Sequence, residues 1–310
     1  MPLSYRQITA EKTLNKPSYY RGRFAPTSSG KLHFGSLVTA VASYSDAIFH
    51  DGEWLLRIDD IDEGRARPKF IDSILVILEK FGFEWSRKPT YQTERKDIYE
   101  STVKLLLNKN LAFPCGCSRK EIASVTPSFF NEKMIYPGTC ANGLEAGKKP
   151  KSVRVRVEDK RIIFDDRFAG PVSQNISKSV GDFVIRRTDG LIAYQLAVVI
   201  DDHLDNITHV LRGADLLSST PRQLFLQELL DYSHPAYGHI PLVVDSFGKK
   251  LSKSNGDDDI FTENMCDLLL AAWNFLGQKK PDKSIETTSD FWLNAKQNWK
   301  PTTVHTPHQS

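Results

Sequence analysis

One stretch near the start of the chain, Arg23–Gly35 (RFAPTSSGKLHFG), constrains the fold more than any other. A short extended segment, Tyr20–Ala25, leads to Pro26 and a turn-rich linker. The segment that follows, Ser36–Phe49, carries apolar residues at helical spacing. A strand, a glycine-bearing turn and a helix N-terminus together form an anion site, because the helix start has unpaired N–H groups and a partial positive charge. The stretch therefore indicates nucleotide binding.

Two better-known phosphate-binding motifs are absent from this stretch. Gly30-Lys31 is followed by Leu32 instead of Ser or Thr, and no glycine lies five residues before Gly30, which excludes a P-loop. The stretch also lacks the G-x-G-x-x-G pattern of dinucleotide-binding proteins.

Composition narrows the class of protein without identifying it. The 310 residues carry a formal charge of only +3, so any RNA contact must come from local basic patches. No apolar run is long enough to span a membrane, and the polar N-terminus is unlike a secretory signal. We expect a cytoplasmic monomer that makes no membrane contact.

The order of elements predicts an α/β fold with a parallel sheet. Strand, helix, strand, helix and helix alternate up to Pro114, where a cysteine-bearing region interrupts the pattern. The expected segments are an N-terminal arm (1–18), the first half of the catalytic domain (19–113), an insertion (114–180), the second half (181–254) and a C-terminal helix with a polar tail (255–310).

Several local patterns give more specific expectations. Asp189-Gly190 predicts a hairpin whose second arm is the apolar run Leu191–Ile200. Thr220-Pro221-Arg222-Gln223 predicts a capping box, and Pro241–Asp245 a last strand. Ile98, Val103, Leu105 and Leu106 are expected to point inward from one helix. A final helix, Phe261–Leu276, would bury Cys266 and precede an ill-ordered tail from Lys279.

The other three cysteines, Cys115, Cys117 and Cys140, lie within the insertion. Because a disulfide framework is unusual in an intracellular protein of this size, metal binding or simple burial of the thiols is expected. Their spacing alone predicts three sulfur ligands and leaves the fourth ligand open.

Two motifs resemble the signatures of class I aminoacyl-tRNA synthetases: His33-Phe34-Gly35 is similar to HIGH, and Lys250-Leu251-Ser252-Lys253-Ser254 is similar to KMSKS. Five blocks resemble the glutamyl branch of that family: Arg23–Gly35, Arg57–Asp62, Ala193–Asp202, Leu211–Leu216 and the lysine loop. The resemblance implies a Rossmann-like domain with an inserted zinc-bearing subdomain and a short C-terminal helical segment. It also implies ATP-dependent activation of L-glutamate by positioning and charge neutralisation, without a protein nucleophile.

The same resemblance implies a set of site residues. Catalysis would fall to Lys253, Lys250 and His33, and Mg²⁺ would accompany ATP. ATP would be held by Pro26, His33, Gly35, Lys250, Ser252 and Lys253. Glutamate would be held by Arg23, Phe24, Ala25, Pro26, Thr27, Asp59, Tyr194 and Arg212. Asp59 departs from the family pattern, where Glu is usual, so its hold on the α-ammonium group would need a shifted ligand, a water or help from Asp60.

For the cysteines, the resemblance implies one structural zinc bound by Cys115, Cys117, Tyr136 and Cys140. The alternative is three buried free thiols. A separate set of basic residues is a candidate for contact with RNA phosphate, the alternative being a solvated basic face: Lys148, Lys149, Lys151, Arg154, Arg156, Arg186 and Arg187.

The acceptor of glutamate is inferred by resemblance alone. Few residues follow Ser254, and such a catalytic half with this cysteine pattern is similar to the subfamily that glutamylates queuosine at the wobble position of tRNA(Asp), with tRNA-independent activation. The rivals are a truncated enzyme charging the 3′ end of tRNA(Glu), a non-catalytic ATP- or glutamate-binding paralogue, and a small-molecule nucleotidyltransferase.

Overall fold

The computed structural model describes residues 19–125, 135–243 and 264–304. The lysine loop with Lys250, Ser252 and Lys253 lies outside the described residues, as does the arm 1–18. No helix in the described ranges is long and apolar enough to cross a membrane.

Strands and helices alternate along most of the chain. The first part comprises β1 (Arg21–Phe24), α1 (Phe34–Phe49), β2 (Glu53–Ile58), α2 (Pro68–Lys80), β3 (Thr90–Tyr91) and α3 (Lys96–Asn108). The middle part comprises β4 (Ala112–Cys115), α4 (Arg119–Val125), β5 (Ser152–Val155), β6 (Arg161–Asp166), β7 (Gly170–Asn175) and α5 (Ile176–Ser179). The last part comprises β8 (Val184–Arg186), α6 (Tyr194–Leu204), β9 (His209–Gly213), α7 (Thr220–Leu229), β10 (Ala236–Ile240), α8 (Met265–Phe275) and α9 (Thr288–Asn298).

The central strands are parallel, which confirms the predicted α/β fold. β1 pairs with β2 and β2 with β3, while β9 pairs with β10, all in parallel register. The two groups meet where the amide of Thr208 donates to the carbonyl of Arg21 at 2.9 Å. Since ligands bind at the carboxyl ends of such strands, the fold directs attention to the residues that follow β1, β2, β9 and β10.

Each face of the parallel sheet covers its own apolar core. Trp54 and Leu56 of β2 and Leu211 of β9 pack with α1, α8 and α9. The alternate residues Leu55 and Val210 face α3, α6 and α7. Because successive strand side chains point to opposite faces, Arg57 and Arg212 belong to the α6 face. Charged groups thus occupy positions that continue a row of buried apolar residues.

The interrupting region forms two small antiparallel units. β4, β5 and β8 make one sheet, and β6 with β7 makes a hairpin. The hairpin returns to the main sheet, since the amide of Arg167 donates to the carbonyl of Tyr237 in β10 at 2.9 Å.

Two expectations about the second half were wrong. The hairpin after Gly190 extends only to an isolated bridge between Arg186 and Ile192, and Tyr194 already begins α6. A short, largely apolar run fits a buried helix as well as a buried strand, so hydrophobic periodicity does not distinguish the two. The predicted last strand also lies too late, because β10 ends at Ile240 and residues 241–243 form no strand.

Two further expectations fail for helices. On α3, Ile98 and Leu105 are 43% and 44% exposed, while Val103 and Leu106 are buried as predicted. The tail from Lys279 is not a disordered coil through residue 304, because α9 lies there and buries Phe291 and Trp292. Cys266 is buried in α8, as expected.

Candidate active site and cysteine cluster

A cavity of about 440 Å³ lies at the carboxyl ends of β1, β2, β9 and β10. Every predicted glutamate-binding residue lines it, together with the predicted ATP-binding residues that the structure describes: Arg23, Phe24, Ala25, Pro26, Thr27, His33, Gly35, Asp59, Tyr194 and Arg212. The structure thus brings together residues up to 189 positions apart in the sequence, while their roles stay predictions.

His33 caps the helix that opens onto the cavity. Its backbone is extended, and its Nδ1 accepts a hydrogen bond from the amide of Ser36 at 3.3 Å. In a neutral ring that accepts at Nδ1, the proton resides on Nε2. Gly35 follows closely, and a Cβ at that position would lie 3.2 Å from the His33 ring. The local geometry therefore favours glycine beside the capping histidine, because a Cβ there would force the His33 ring to shift.

Arg23 and Arg57 share one buried carboxylate, Asp202 of α6. Arg23 donates Nε and Nη2 to its two oxygens at 3.1 and 3.2 Å, and Arg57 donates Nη1 at 2.6 Å. Although burial opposes ionisation of Asp202, the two guanidinium groups lower its pKa. Together with Asp59, which accepts from Arg57, Asp202 balances the charges of Arg23 and Arg57 on this wall of the cavity.

Asp59 sits at the end of β2 with its backbone bonded to Pro26. Its Oδ1 accepts from Nε of Arg57 at 2.8 Å. Burial raises the pKa of Asp59 to about 6, because the desolvation of its charge outweighs the attraction of Arg57. A carboxylate held in this way gains from any cation that enters the cavity.

Arg57 and Arg212 each present to the cavity wall one buried guanidinium nitrogen without a hydrogen-bond partner among the described residues, Nη2 and Nη1 respectively. Arg212 is held by its other two nitrogens. Its Nε donates to Nε2 of His239 at 3.0 Å, and its Nη2 donates to the hydroxyl of Thr220 at 2.7 Å. Its Nη1 is buried without a partner in the described part of the chain. Because an unsatisfied buried donor is costly, this atom implies an acceptor supplied by a ligand.

The predicted capping box at Thr220 is wrong. Ser219 is the N-cap of α7 and makes no side-chain capping bond, and Thr220 is the first helical residue. Its hydroxyl is instead used by Arg212. A tertiary contact thus takes the hydroxyl that the local pattern assigned to the helix.

Sequence reasoning missed several residues around this site. Arg57 and Asp202 lie inside the quoted blocks but received no role. Thr220, His239 and Asp166 carried no site signal at all, because the contact between His239 and Asp166 spans 73 positions of the chain. Only the folded arrangement of β6 beside β10 brings them together.

The three cysteines of the insertion form one buried cluster. The sulfur atoms of Cys115, Cys117 and Cys140 lie within 4.8 Å of one another. The Tyr136 hydroxyl lies 3.4 Å from Sγ of Cys115 and 3.9 Å from Sγ of Cys117, which is itself 3.5 Å from Sγ of Cys140. Tetrahedral Zn–S bonds would separate neighbouring sulfurs by about 3.8 Å, so the four side chains fit one metal ion.

Arg154 is packed against this cluster. Its Nε donates to Sγ of Cys115 at 3.4 Å, and its guanidinium lies 3.9 Å from the centre of the Tyr136 ring. Burial opposes ionisation of Cys115, yet bonds from Tyr136, the Cys117 backbone and Arg154 lower its pKa to about 7. The environment therefore favours a thiolate, the form that binds metal, at Cys115, whereas burial and the bond to Cys140 raise the pKa of Cys117 to about 11.

Most of the basic residues proposed for RNA contact already have partners in the protein. Arg156 donates to the carbonyl of Ala141 at 2.6 Å, and Arg186 pairs with Glu100 at 3.2 Å. Arg187 pairs with Asp62, and Lys148 with Glu121. The three pairs with carboxylates reduce the positive charge that the surface can offer to phosphate.

Comparisons with known proteins identify the family to which this chain is similar. The family described as tRNA synthetases class I (E and Q), catalytic domain, matches residues 20–269. A glutamyl-Q tRNA(Asp) synthetase of Dechloromonas aromatica is 45% identical over 92% of this chain and 95% of its own length. One from Aromatoleum aromaticum is 47% identical over 84% of this chain and 82% of its own length.

Solved structures extend the likeness. A glutamate-tRNA synthetase of Elizabethkingia anophelis superposes with a TM-score of 0.74 at 26% identity over 93% of this chain. A glutamate tRNA ligase of Elizabethkingia meningosepticum, solved in complex with its amino acid, gives the same TM-score and identity over 92%. The chain spans about two thirds of the length of these two proteins, 67% and 66%.

Proposed function

The chain belongs to the glutamyl-Q tRNA(Asp) synthetases within the class I (E and Q) tRNA synthetase family, and on that premise we propose that it activates L-glutamate with ATP and transfers it to queuosine in tRNA(Asp). Activation needs no tRNA. The observation that carries the proposal is Arg212 on the cavity wall, because among the described residues it is bonded to Thr220 and His239 and to no carboxylate, and its buried Nη1 has no partner, which suits an acidic ligand.

Glutamate supplies what this wall lacks. Its side-chain carboxylate pairs with Arg212 and Arg23, and Tyr194 donates a further hydrogen bond to it. Asp59 receives the α-ammonium group, which also relieves the cost of its buried charge. A charged hydrogen bond of this kind contributes about 1.5–3 kcal/mol, so a ligand without the carboxylate is rejected.

ATP binds at the N-terminus of α1. His33 donates from Nε2 to phosphate, and Gly35 allows the nucleotide to approach the backbone closely. Lys250 and Lys253 add positive charge at the phosphates, and Ser252 donates a hydrogen bond from its hydroxyl. Mg²⁺ bound with ATP neutralises further phosphate charge.

The two chemical steps balance without a covalent enzyme intermediate. The α-carboxylate oxygen of glutamate attacks the α-phosphorus of ATP, and the P–O bond to pyrophosphate breaks. A cyclopentene hydroxyl of queuosine then attacks the acyl carbon and loses its proton as AMP departs. The residues of the cavity position the reactants and stabilise developing charge on phosphate.

The cysteine cluster holds one structural zinc ion, bound by Cys115, Cys117, Tyr136 and Cys140. When bound there, the ion would join β4 to the segment that carries Cys140. We expect the enzyme to act as a monomer in the cytoplasm, where tRNA is modified.

Activation is tested by glutamate-dependent exchange of pyrophosphate into ATP in the absence of tRNA. We expect exchange with glutamate and none with glutamine. Lys253→Ala should abolish it, whereas Lys279→Ala, an exposed lysine paired with Asp282, should not. Normal exchange by the Lys253 variant would remove the lysine loop from the mechanism.

The acceptor is tested by incubating the enzyme with ATP, glutamate and one of three RNAs: queuosine-containing tRNA(Asp), tRNA(Asp) with guanine at the wobble position, and tRNA(Glu). After digestion, mass analysis should find glutamate on the wobble nucleoside of the first RNA only. The guanine form lacks the cyclopentene hydroxyls that attack the adenylate. Charging of the 3′ end of tRNA(Glu) would instead establish the truncated-synthetase alternative.

A further inference from the structure

Behind the cavity wall, a buried carboxylate and a buried histidine form a fixed pair. Oδ1 of Asp166 accepts from the amides of Phe168, Ala169 and His239 at 3.1, 2.9 and 3.1 Å. Its Oδ2 lies 2.5 Å from Nδ1 of His239. Both side chains are fully buried. Because the carboxylate can only accept, Nδ1 must carry the proton.

This arrangement determines what the other ring nitrogen can do. With the proton on Nδ1, Nε2 of His239 is an acceptor, and Nε of Arg212 donates to it at 3.0 Å. The Thr220 hydroxyl lies 3.1 Å from the same nitrogen and accepts from Nη2 of Arg212 at 2.7 Å. Two of the three guanidinium nitrogens are therefore fixed, which also fixes the plane of the group.

The charge state of His239 follows from the groups that face it, which are Asp166, Arg212 and Arg23. A second ring proton would point an N–H at the Arg212 cation inside a buried site. Burial lowers the pKa of His239, and the bond to Asp166 only partly opposes this. The ring is thus neutral and serves Arg212 as an acceptor.

We propose that Asp166, His239 and Thr220 are positioning residues that hold Arg212 with Nη1 directed at the substrate carboxylate, and that they thereby determine the preference for glutamate over glutamine. The inference rests on the proposed glutamate activation. A fixed planar donor meets a carboxylate well, whereas a loosened guanidinium can turn toward an amide oxygen. None of the three residues touches the reacting atoms.

Paired substitutions separate positioning from simple packing. Thr220→Val keeps the shape but removes the acceptor for Nη2, and Thr220→Ser restores it. His239→Asn can still donate to Asp166 but cannot reach Arg212, whereas the amide of His239→Gln extends to the place of Nε2. His203→Asn, at an exposed histidine stacked on Tyr232, is the matched control.

The measurement is pyrophosphate exchange with glutamate, ATP and glutamine varied in turn. We expect Thr220→Val and His239→Asn to raise the KM for glutamate about tenfold or more, as loss of a charged hydrogen bond predicts. The KM for ATP should stay within about twofold, and kcat should change less than the KM for glutamate. Thr220→Ser, His239→Gln and His203→Asn should stay near the wild-type KM.

The proposal would be overturned if the Val and Ser variants of Thr220 behaved alike. It would also be overturned if kcat, the KM for glutamate and the KM for ATP all changed to a similar extent. If one variant of a pair does not fold, judged by circular dichroism, the pair at the other position decides. A wild-type enzyme without glutamate-dependent exchange would instead refute the proposed function, so the two failures are distinguishable.

Discussion

Asp59, which we propose to bind the α-ammonium group of glutamate, lowers the stability of the folded protein. It is a buried carboxylate with a pKa raised from 3.8 to about 6, so the folded protein opposes its ionisation. The folded state therefore binds more protons than the unfolded state between about pH 4 and pH 6. In that window the unfolding free energy falls as pH rises, and above pH 6 the full cost of the charge is present.

Asp59→Asn should remove that cost. We expect the variant to be more stable than wild type at pH 8, with an advantage that shrinks as pH falls from about 6 toward 4. At the same time its KM for glutamate should rise, since the ammonium group loses its partner. Denaturant unfolding at pH 5 and pH 8, with pyrophosphate exchange at pH 8, measures both effects.

The matched control is Asp282→Asn, at an exposed carboxylate whose pKa is lowered by Lys279. Because the pKa of Asp282 is lowered and not raised, removal of its charge should give no gain in stability at pH 8. An Asp59 variant that lost stability at pH 8 would show that the bond to Arg57 outweighs the desolvation of the carboxylate.

At the level of elements, hydrophobic periodicity predicted most of the helices and strands around the site. β1 and α1 lie where the extended segment Tyr20–Ala25 and the apolar spacing of Ser36–Phe49 place them. Failures occurred where local signals were ambiguous or overridden. Leu191–Ile200 is apolar apart from Gln195 and so shows no clear period. α9 is a polar helix whose few aromatic residues are buried only by tertiary contact.

That C-terminal helix is predicted to stabilise the helix that opens onto the cavity. Nε1 of Trp299 donates to Asp46 of α1 at 2.9 Å, and Asp46 is fully buried. Trp299→Phe should lower the unfolding free energy by about 1–3 kcal/mol, because it removes a donor from a buried carboxylate. Leu293→Ala, on the exposed side of α9, should change it by less than about 0.5 kcal/mol. Equal effects in urea unfolding would mean that α9 does not brace α1.

The cysteine cluster gives a prediction for the insertion. Purified without added metal, the protein should contain one zinc ion per chain, measured by elemental analysis. Cys117→Ser should lose the zinc and loosen the insertion, detected as faster proteolysis between β4 and β5. Cys266→Ser, at a buried cysteine of α8 outside the cluster, should keep it. Absence of metal together with four freely titratable thiols would contradict the prediction.

Across the whole molecule, the sequence motifs located the cavity but not the network that supports it. Motif residues such as His33 and Arg212 were identifiable because neighbouring letters matched a signature. The partners of Arg212 were not, since His239 and Thr220 acquire their roles only when β9, β10 and α7 come together. The same holds for Asp202, which lies on α6 and neutralises arginines from two strands of the sheet.

Asp202 therefore provides the test of how the sheet and α6 depend on each other. Asp202→Asn keeps the shape of the side chain but leaves Arg23 and Arg57 without their shared counter-charge. Breaking a buried ion pair costs about 3–5 kcal/mol of unfolding free energy. Asp205→Asn, which weakens a partly exposed pair with Arg95, should cost clearly less.

Two optical signals follow the two faces of the sheet during that unfolding. All five tryptophans pack in or against the core around α1, whereas α6 and Asp202 belong to the opposite face. Because backbone bonds join the strands that both cores share, tryptophan fluorescence and far-UV circular dichroism should shift to lower denaturant together. A shift in circular dichroism with unchanged fluorescence would show that the α6 face unfolds on its own, and that Arg23 and Arg57 are held by the sheet without help from Asp202.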